Sequence, residues 1–74
     1  MPETATFHLS SGDVVADRRY TYACDLRGRG DLAAAADLLE QAIELAPGFA
    51  SAWFALGEVR AALGDEPGAV AAFR

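Results

Sequence analysis

Apolar and small residues recur along this chain at helical spacing, in four segments separated by glycine or proline. The second segment shows the pattern most clearly, because six of its positions follow the 3.6-residue rhythm of one buried helical face. These positions are Ala35, Leu38, Leu39, Ala42, Ile43 and Leu45. The pattern predicts a helix from about Leu32 to Ala46, with Asp31 as its N-cap and Pro47-Gly48 as its stop.

The first segment predicts a helix over about residues 13–27, which the stretch Gly28-Arg29-Gly30 ends. Asp13 places a negative charge at the positive end of this helix. Most of its apolar stripe is expected from four residues. They are Val14, Tyr22, Ala23 and Leu26.

The sequence predicts two further helices from signals of the same kind. A third helix begins near Ala50 and ends at Gly64, and a fourth is capped by Asp65 and has Pro67 in its first turn. The third helix carries Trp53, Leu56, Val59, Arg60 and Leu63. Val70 and Phe73 begin the apolar face of the fourth.

Matching residues recur at a spacing of thirty-four positions, as from Gly30 to Gly64. The other matched pairs are Asp31 with Asp65, Ala35 with Ala69, and Leu39 with Phe73. A fixed period of this size is typical of helical repeats, in which each unit buries its apolar face against a neighbour. We therefore predict an all-α fold of two antiparallel helical hairpins, residues 13–49 and 50–74, after a flexible lead-in at residues 1–12. The last helix stops after about two turns, so we expect the chain to be a piece of a longer protein or to be completed by a partner.

The chain from about Ala16 to Arg74, one full repeat and most of another, resembles the tetratricopeptide repeat family. That family places Trp-x-x-Leu-Gly-x-x-Tyr on the first helix of each unit, and this chain has Trp53-Phe54-Ala55-Leu56-Gly57 in phase, followed by Gly64-Asp65. Two positions depart from the pattern. In the first unit, Arg19 stands in place of the Trp and is expected to face water. In the second unit, Arg60 stands in place of the Tyr. If Arg60 is buried, it needs an acidic partner such as Glu58 or Asp65.

The resemblance implies a right-handed solenoid whose concave groove, lined by the first helix of each unit, receives peptides. Carried over position by position, the candidate partner-binding residues are Asp17, Tyr20, Thr21, Cys24, Arg27, Phe54, Glu58 and Ala61. Tyr20 and Phe54 are the aromatic residues expected to contact a ligand. The alternative is that they pack on each other or on the lead-in. The carboxylate clamp of the chaperone-type members needs Lys and Asn, and this chain has neither. A ligand is therefore expected to be apolar, or basic enough to meet Asp17 and Glu58.

Composition narrows the classes of function. The net charge is −5 and all six basic residues are arginines, which argues against nucleic acid and anionic membrane as partners. A single cysteine excludes an internal disulfide and indicates a reduced, cytoplasmic setting. No secretory signal or transmembrane stretch is apparent. The abundance of alanine and the absence of lysine indicate GC-rich coding.

No residue cluster suggests catalysis, a cofactor or a metal site, so this chain is not expected to be an enzyme. Cys24 has no histidine near it in sequence, and His8 is the only histidine. The glycines of Gly28-Arg29-Gly30 lack the lysine and the preceding strand of a phosphate-binding loop. Asp37, Glu40 and Glu44 share a helical face that is expected to be solvated.

Three functional interpretations stay open at this point. The first is a protein-interaction module that binds a peptide, a partner domain or a second copy, with self-association through the C-terminal end. The second is the non-catalytic N-terminal segment of a bacterial S-adenosylmethionine-dependent methyltransferase. It depends on a resemblance of the lead-in around residues 9–20 to proteins that join such repeats to that enzyme. The third is a structural fragment without a partner of its own.

Overall fold

The computed structural model describes residues 11–74 and shows four consecutive α-helices in that part of the chain. They are α1 (Val14–Gly28), α2 (Leu32–Leu45), α3 (Ala50–Ala62) and α4 (Glu66–Phe73). The predicted all-α fold is confirmed. The predicted lead-in falls for its larger part, including His8, outside the described residues.

Three of the four helices begin at an aspartate whose carboxylate accepts a hydrogen bond from the backbone N–H two or three residues further on. These N-caps are Asp13, Asp31 and Asp65. Each such cap stabilises its helix by about 1 kcal/mol relative to alanine. The start of these three helices is therefore determined by local chemistry.

The turns after α1 and α3 have the same backbone conformation. Gly30 and Gly64 each have a φ of +86°, in the left-handed region that glycine adopts without steric cost. The N–H of the residue after each glycine donates to the carbonyl five residues before it, that of Leu26 at 2.9 Å and that of Arg60 at 2.8 Å. This is the Schellman end of a helix. Its recurrence one period apart shows that the sequence repeat is a structural repeat.

The helices stack in order along the chain. Helix α1 packs on α2, α2 on α3, and α3 on α4, while α1 and α3 approach each other only slightly. Alanine dominates the contact faces. The buried alanines are Ala16, Ala23, Ala35, Ala42, Ala52, Ala55, Ala69 and Ala72. The largest fully buried side chains are Leu39, Leu56 and Val59, and each stabilises the fold by roughly 1.5–3 kcal/mol through burial.

The apolar stripe predicted for α1 is wrong at two positions. Val14 is 66% exposed and Tyr22 is 56% exposed. Ala23 is buried as predicted, and Ala16, which the predicted stripe did not include, is buried seven positions before it. Short alanine side chains let two helices pack closely.

Large apolar residues near the helix ends are also more exposed than predicted. Leu45, Leu63, Val70 and Phe73 are each about half exposed. Leu45 and Leu63 lie at or just beyond the last turn of their helices, where no described neighbour covers them fully. Phe73 still contacts the core, because its ring lies where a β-carbon on Gly57 would stand.

The two arginines that depart from the repeat pattern both bind α2. The Nη1 of Arg19 donates to Oε1 of Gln41 at 2.6 Å in an exposed contact, while its Nε is buried, so Arg19 faces water only in part. Arg60 pairs through Nη2 with Oε2 of Glu40 at 3.1 Å. Neither acidic partner suggested from the sequence is used, since the partner lies on α2, twenty residues away.

Candidate functional site

A shallow groove of about 340 Å³ lies between α1 and α3. Helix α1 contributes Tyr20 and Arg27, and the remaining lining residues belong to α3. Those from α3 are Ala50, Ser51, Phe54, Ala55 and Glu58. Positions 51, 54, 55 and 58 share one face of a helix, so α3 presents a continuous wall to the groove.

Tyr20 forms the α1 side of the groove and is positioned by a contact with another aromatic ring. Its ring packs on Phe49 with centroids 5.0 Å apart and planes tilted by 50°, a favourable aromatic geometry. Burial raises the pKa of the Tyr20 hydroxyl, and the side chain of Cys24 raises it further. The phenol is therefore neutral at physiological pH, and a neutral phenol can donate a hydrogen bond to a ligand.

An ion pair joins the two walls. Nη1 of Arg27 on α1 lies 2.9 Å from Oε1 of Glu58 on α3, and both side chains are more than a third exposed. A pair this exposed stabilises the fold by about 1 kcal/mol or less. Its main effect on the groove is electrostatic, because the two charges neutralise each other.

Phe54 forms the opposite wall and is 59% exposed. Its ring contacts Phe73 on α4 with centroids 5.6 Å apart. The alternative in which Tyr20 and Phe54 pack on each other is thus not seen, since each ring packs on a different aromatic residue. Phe54 also borders a second apolar pocket of about 560 Å³ toward the C-terminal end, which includes Trp53.

The structure brings half of the sequence-predicted site residues together. Tyr20, Arg27, Phe54 and Glu58 line the groove. The other four are placed as follows. Asp17 and Thr21 line a separate depression of about 570 Å³ along α1, Cys24 is exposed beside Tyr20, and Ala61 is exposed one turn after Glu58.

Sequence reasoning missed three groove residues, Ala50, Ser51 and Ala55. A signal for two of them was available, because Ser51 and Ala55 lie on the same helical face as Phe54 and Glu58. Alanine and serine carry little chemical signature of their own, so their place in the groove is seen in the structure.

Comparison with known protein families matches residues 20–74 to a model described as tetratricopeptide repeat. The chain belongs to the tetratricopeptide repeat family. The match covers both of the walls that form the groove, and repeats of this family generally mediate protein–protein interaction. No curated protein and no solved structure matches the chain.

Other kinds of site find no support in the part of this tetratricopeptide repeat chain that the structure describes. Residues 11–74 contain no group of three potential ligands that could hold a metal ion. Glu40, one of three acidic residues expected on a solvated face, forms an ion pair with Arg60. None of the described helices has the length and apolar character needed to cross a membrane.

Proposed function

We propose that this tetratricopeptide repeat chain is a protein-interaction module whose groove binds an apolar segment of a partner protein. The observation that carries this proposal is the pair of aromatic walls, Tyr20 on α1 and Phe54 on α3, on either side of one groove. Accessible aromatic residues that are already fixed by packing, as the partly buried Tyr20 and the exposed Phe54 are, bind with little loss of conformational entropy, and such residues dominate many interfaces.

The charges favour an apolar ligand over a basic one. The two carboxylates that a basic peptide would meet already have partners. Glu58 pairs with Arg27 at 2.9 Å, and Asp17 accepts hydrogen bonds from the backbone N–H and the hydroxyl of Ser11, both at 2.8 Å. A basic ligand would have to replace these contacts, whereas an apolar side chain can lie between the rings without disturbing them.

Peptides selected from a random library for binding to the intact chain test this proposal. Tyr20→Ala and Phe54→Ala are each expected to weaken a selected peptide by about tenfold or more, as hot-spot residues do. Tyr22→Ala is the matched control, because Tyr22 is about as exposed as Phe54 but lies outside the groove. Equal losses in all three variants, or none in the two groove variants, would move the site elsewhere.

Three further expectations belong to the proposal. Self-association through the C-terminal end is favoured by the half-exposed side chains of Leu63, Val70 and Phe73. The cytoplasmic location remains a prediction from composition, and the bacterial source remains a prediction from the resemblance of the lead-in. The methyltransferase alternative gains nothing from the family match, which describes the repeat alone, and we do not propose it.

A further inference from the structure

One face of α4 carries an acidic residue at its start, small apolar residues in its middle and a basic residue at its end. Glu66, Val70 and Arg74 follow each other at four-residue spacing, and Pro67 and Ala71 lie beside them. These five residues line one depression of about 500 Å³. Val70, at its centre, is 52% exposed. We refer to these five residues as the α4 face.

The charges on this face are not satisfied within the described chain. Among residues 11–74, neither Glu66 nor Arg74 has an ion-pair partner. The helix dipole accounts for a negative charge at the start of α4 and a positive one at its end. It does not account for their alignment with Val70 on one exposed face.

The order of these residues makes the face complementary to itself. At a rise of about 1.5 Å per residue, Glu66 and Arg74 lie about 6 Å from Val70 along the helix axis, in opposite directions. A second α4 face laid antiparallel on the first therefore brings each Glu66 to the Arg74 of the other copy. A parallel arrangement brings like charges together instead. Self-complementarity of this kind is the requirement for a two-fold symmetric interface.

We infer that a second copy of this chain packs antiparallel on the α4 face, with Val70 and Ala71 at the two-fold axis and Glu66 of each copy paired with Arg74 of the other. This inference gives a geometry to the self-association in the proposed function and is independent of the groove. The short side chain of Ala71 lets the helices approach closely. Because the α4 face consists of only five residues, the interface is small and the dimer is expected to be weak and rapidly exchanging.

Sedimentation equilibrium from about 10 µM to 1 mM tests the dimer over the range expected for weak association. The wild-type chain is expected to shift from monomer to dimer with concentration, and Val70→Lys is expected to remain monomeric. The control is Val14→Lys, which changes a valine on α1 that is more exposed than Val70, 66% against 52%, and should dimerise like the wild type. Val70→Lys is compatible with the helix, because the lysine follows Glu66 by four residues.

Charge exchange tests the antiparallel pairing itself. Glu66→Arg and Arg74→Glu are each expected to weaken the dimer at least about threefold, because each dimer holds two such pairs. The double variant should recover the wild-type constant. An equimolar mixture of the two single variants should form a heterodimer, since both of its pairs join opposite charges. Helix content by circular dichroism shows that each variant is folded.

A wild-type chain that stays monomeric up to 1 mM overturns the inference. So does a double variant that remains as weak as the single ones, or a mixture that forms no heterodimer. These results leave the groove untouched, because Val70 does not line it. Conversely, loss of peptide binding in Phe54→Ala with an unchanged dimer supports the two sites as separate.

Discussion

Replacing Arg60 tests whether one side chain holds α3 to both of its neighbouring helices. Its Nη1 donates to the carbonyl of Gly68 on α4 at 3.1 Å, and its Nη2 pairs with Glu40 on α2 at 3.1 Å. The side chain is 24% exposed, whereas that of Glu40 is 50% exposed. Arg60 on α3 thus contacts the helices on both sides of it. We predict that Arg60→Met, which keeps the apolar stem, lowers the free energy of unfolding.

The two contacts differ in expected value. A hydrogen bond from a charged donor to a partly buried carbonyl contributes about 1.5–3 kcal/mol. The pair with Glu40 is largely solvent-screened and contributes about 0.2–1 kcal/mol. We therefore expect Arg60→Met to cost about 2–3 kcal/mol and Glu40→Gln to cost less than about 1 kcal/mol. A small domain has only about 0.05–0.15 kcal/mol of stability per residue, so the larger loss shifts the unfolding midpoint clearly.

Urea unfolding followed by far-UV circular dichroism and by fluorescence of Trp53 measures both effects. Trp53 reports the native state because its indole N–H donates to the carbonyl of Pro47 at 2.8 Å, a contact that unfolding removes. Arg29→Met is the control, since the pair of Arg29 with Asp25 lies within one helix and both side chains are more than half exposed. An Arg60→Met variant within about 0.5 kcal/mol of the wild type, or one no worse than Glu40→Gln, would refute the reasoning.

Three further predictions concern the core, a turn and the groove. Leu56→Ala should lower the free energy of unfolding by about 2–5 kcal/mol because Leu56 is fully buried. Leu63→Ala, at a half-exposed leucine, should cost under about 1 kcal/mol in the same urea titration. Equal losses would contradict the core described above. Gly64→Ala should lower the free energy of unfolding by about 1–2 kcal/mol because the φ of Gly64 is +86°. Gly48→Ala should change thermal stability little, because Gly48 has no positive φ and an added β-carbon would stand in open space. No loss of stability in Gly64→Ala would be the contrary result. The pKa of Tyr20 should lie above 10.0 because the side chain is partly buried. The free energy of unfolding should fall as pH rises through 10.0 and the folded-state pKa, because the unfolded chain releases this proton first. An NMR titration that gave a pKa of 10.0 or below would contradict the burial of the hydroxyl.

The elements of the fold could be predicted because their signals are local. Asp31 and Asp65 cap helices through their own side chains, and Gly30 and Gly64 accept a backbone conformation that other residues resist. These signals act over a few residues and recur at a fixed period. Sequence alone therefore gives the number of helices, their order and their ends to within one or two residues.

The packing of those helices was less predictable, because it depends on partners distant in sequence. Ala16, which the predicted stripe did not include, is buried while Tyr22 is exposed, which reflects close helix approach rather than the hydrophobicity of each side chain. The partner of Arg60 is Glu40, and no local rule joins residues twenty positions apart on different helices. At the groove, the aromatic and charged lining residues could be named from the repeat pattern, whereas Ala50, Ser51 and Ala55 are seen only in the structure.

The most direct test of the central claim is an NMR map of where a library-selected peptide contacts the ¹⁵N-labelled chain. The account predicts shift changes on both walls of one groove, at Tyr20 on α1 and at Phe54 and Glu58 on α3, with α2 little affected. Shift changes confined to α2, or spread over the surface without a maximum between α1 and α3, would contradict it.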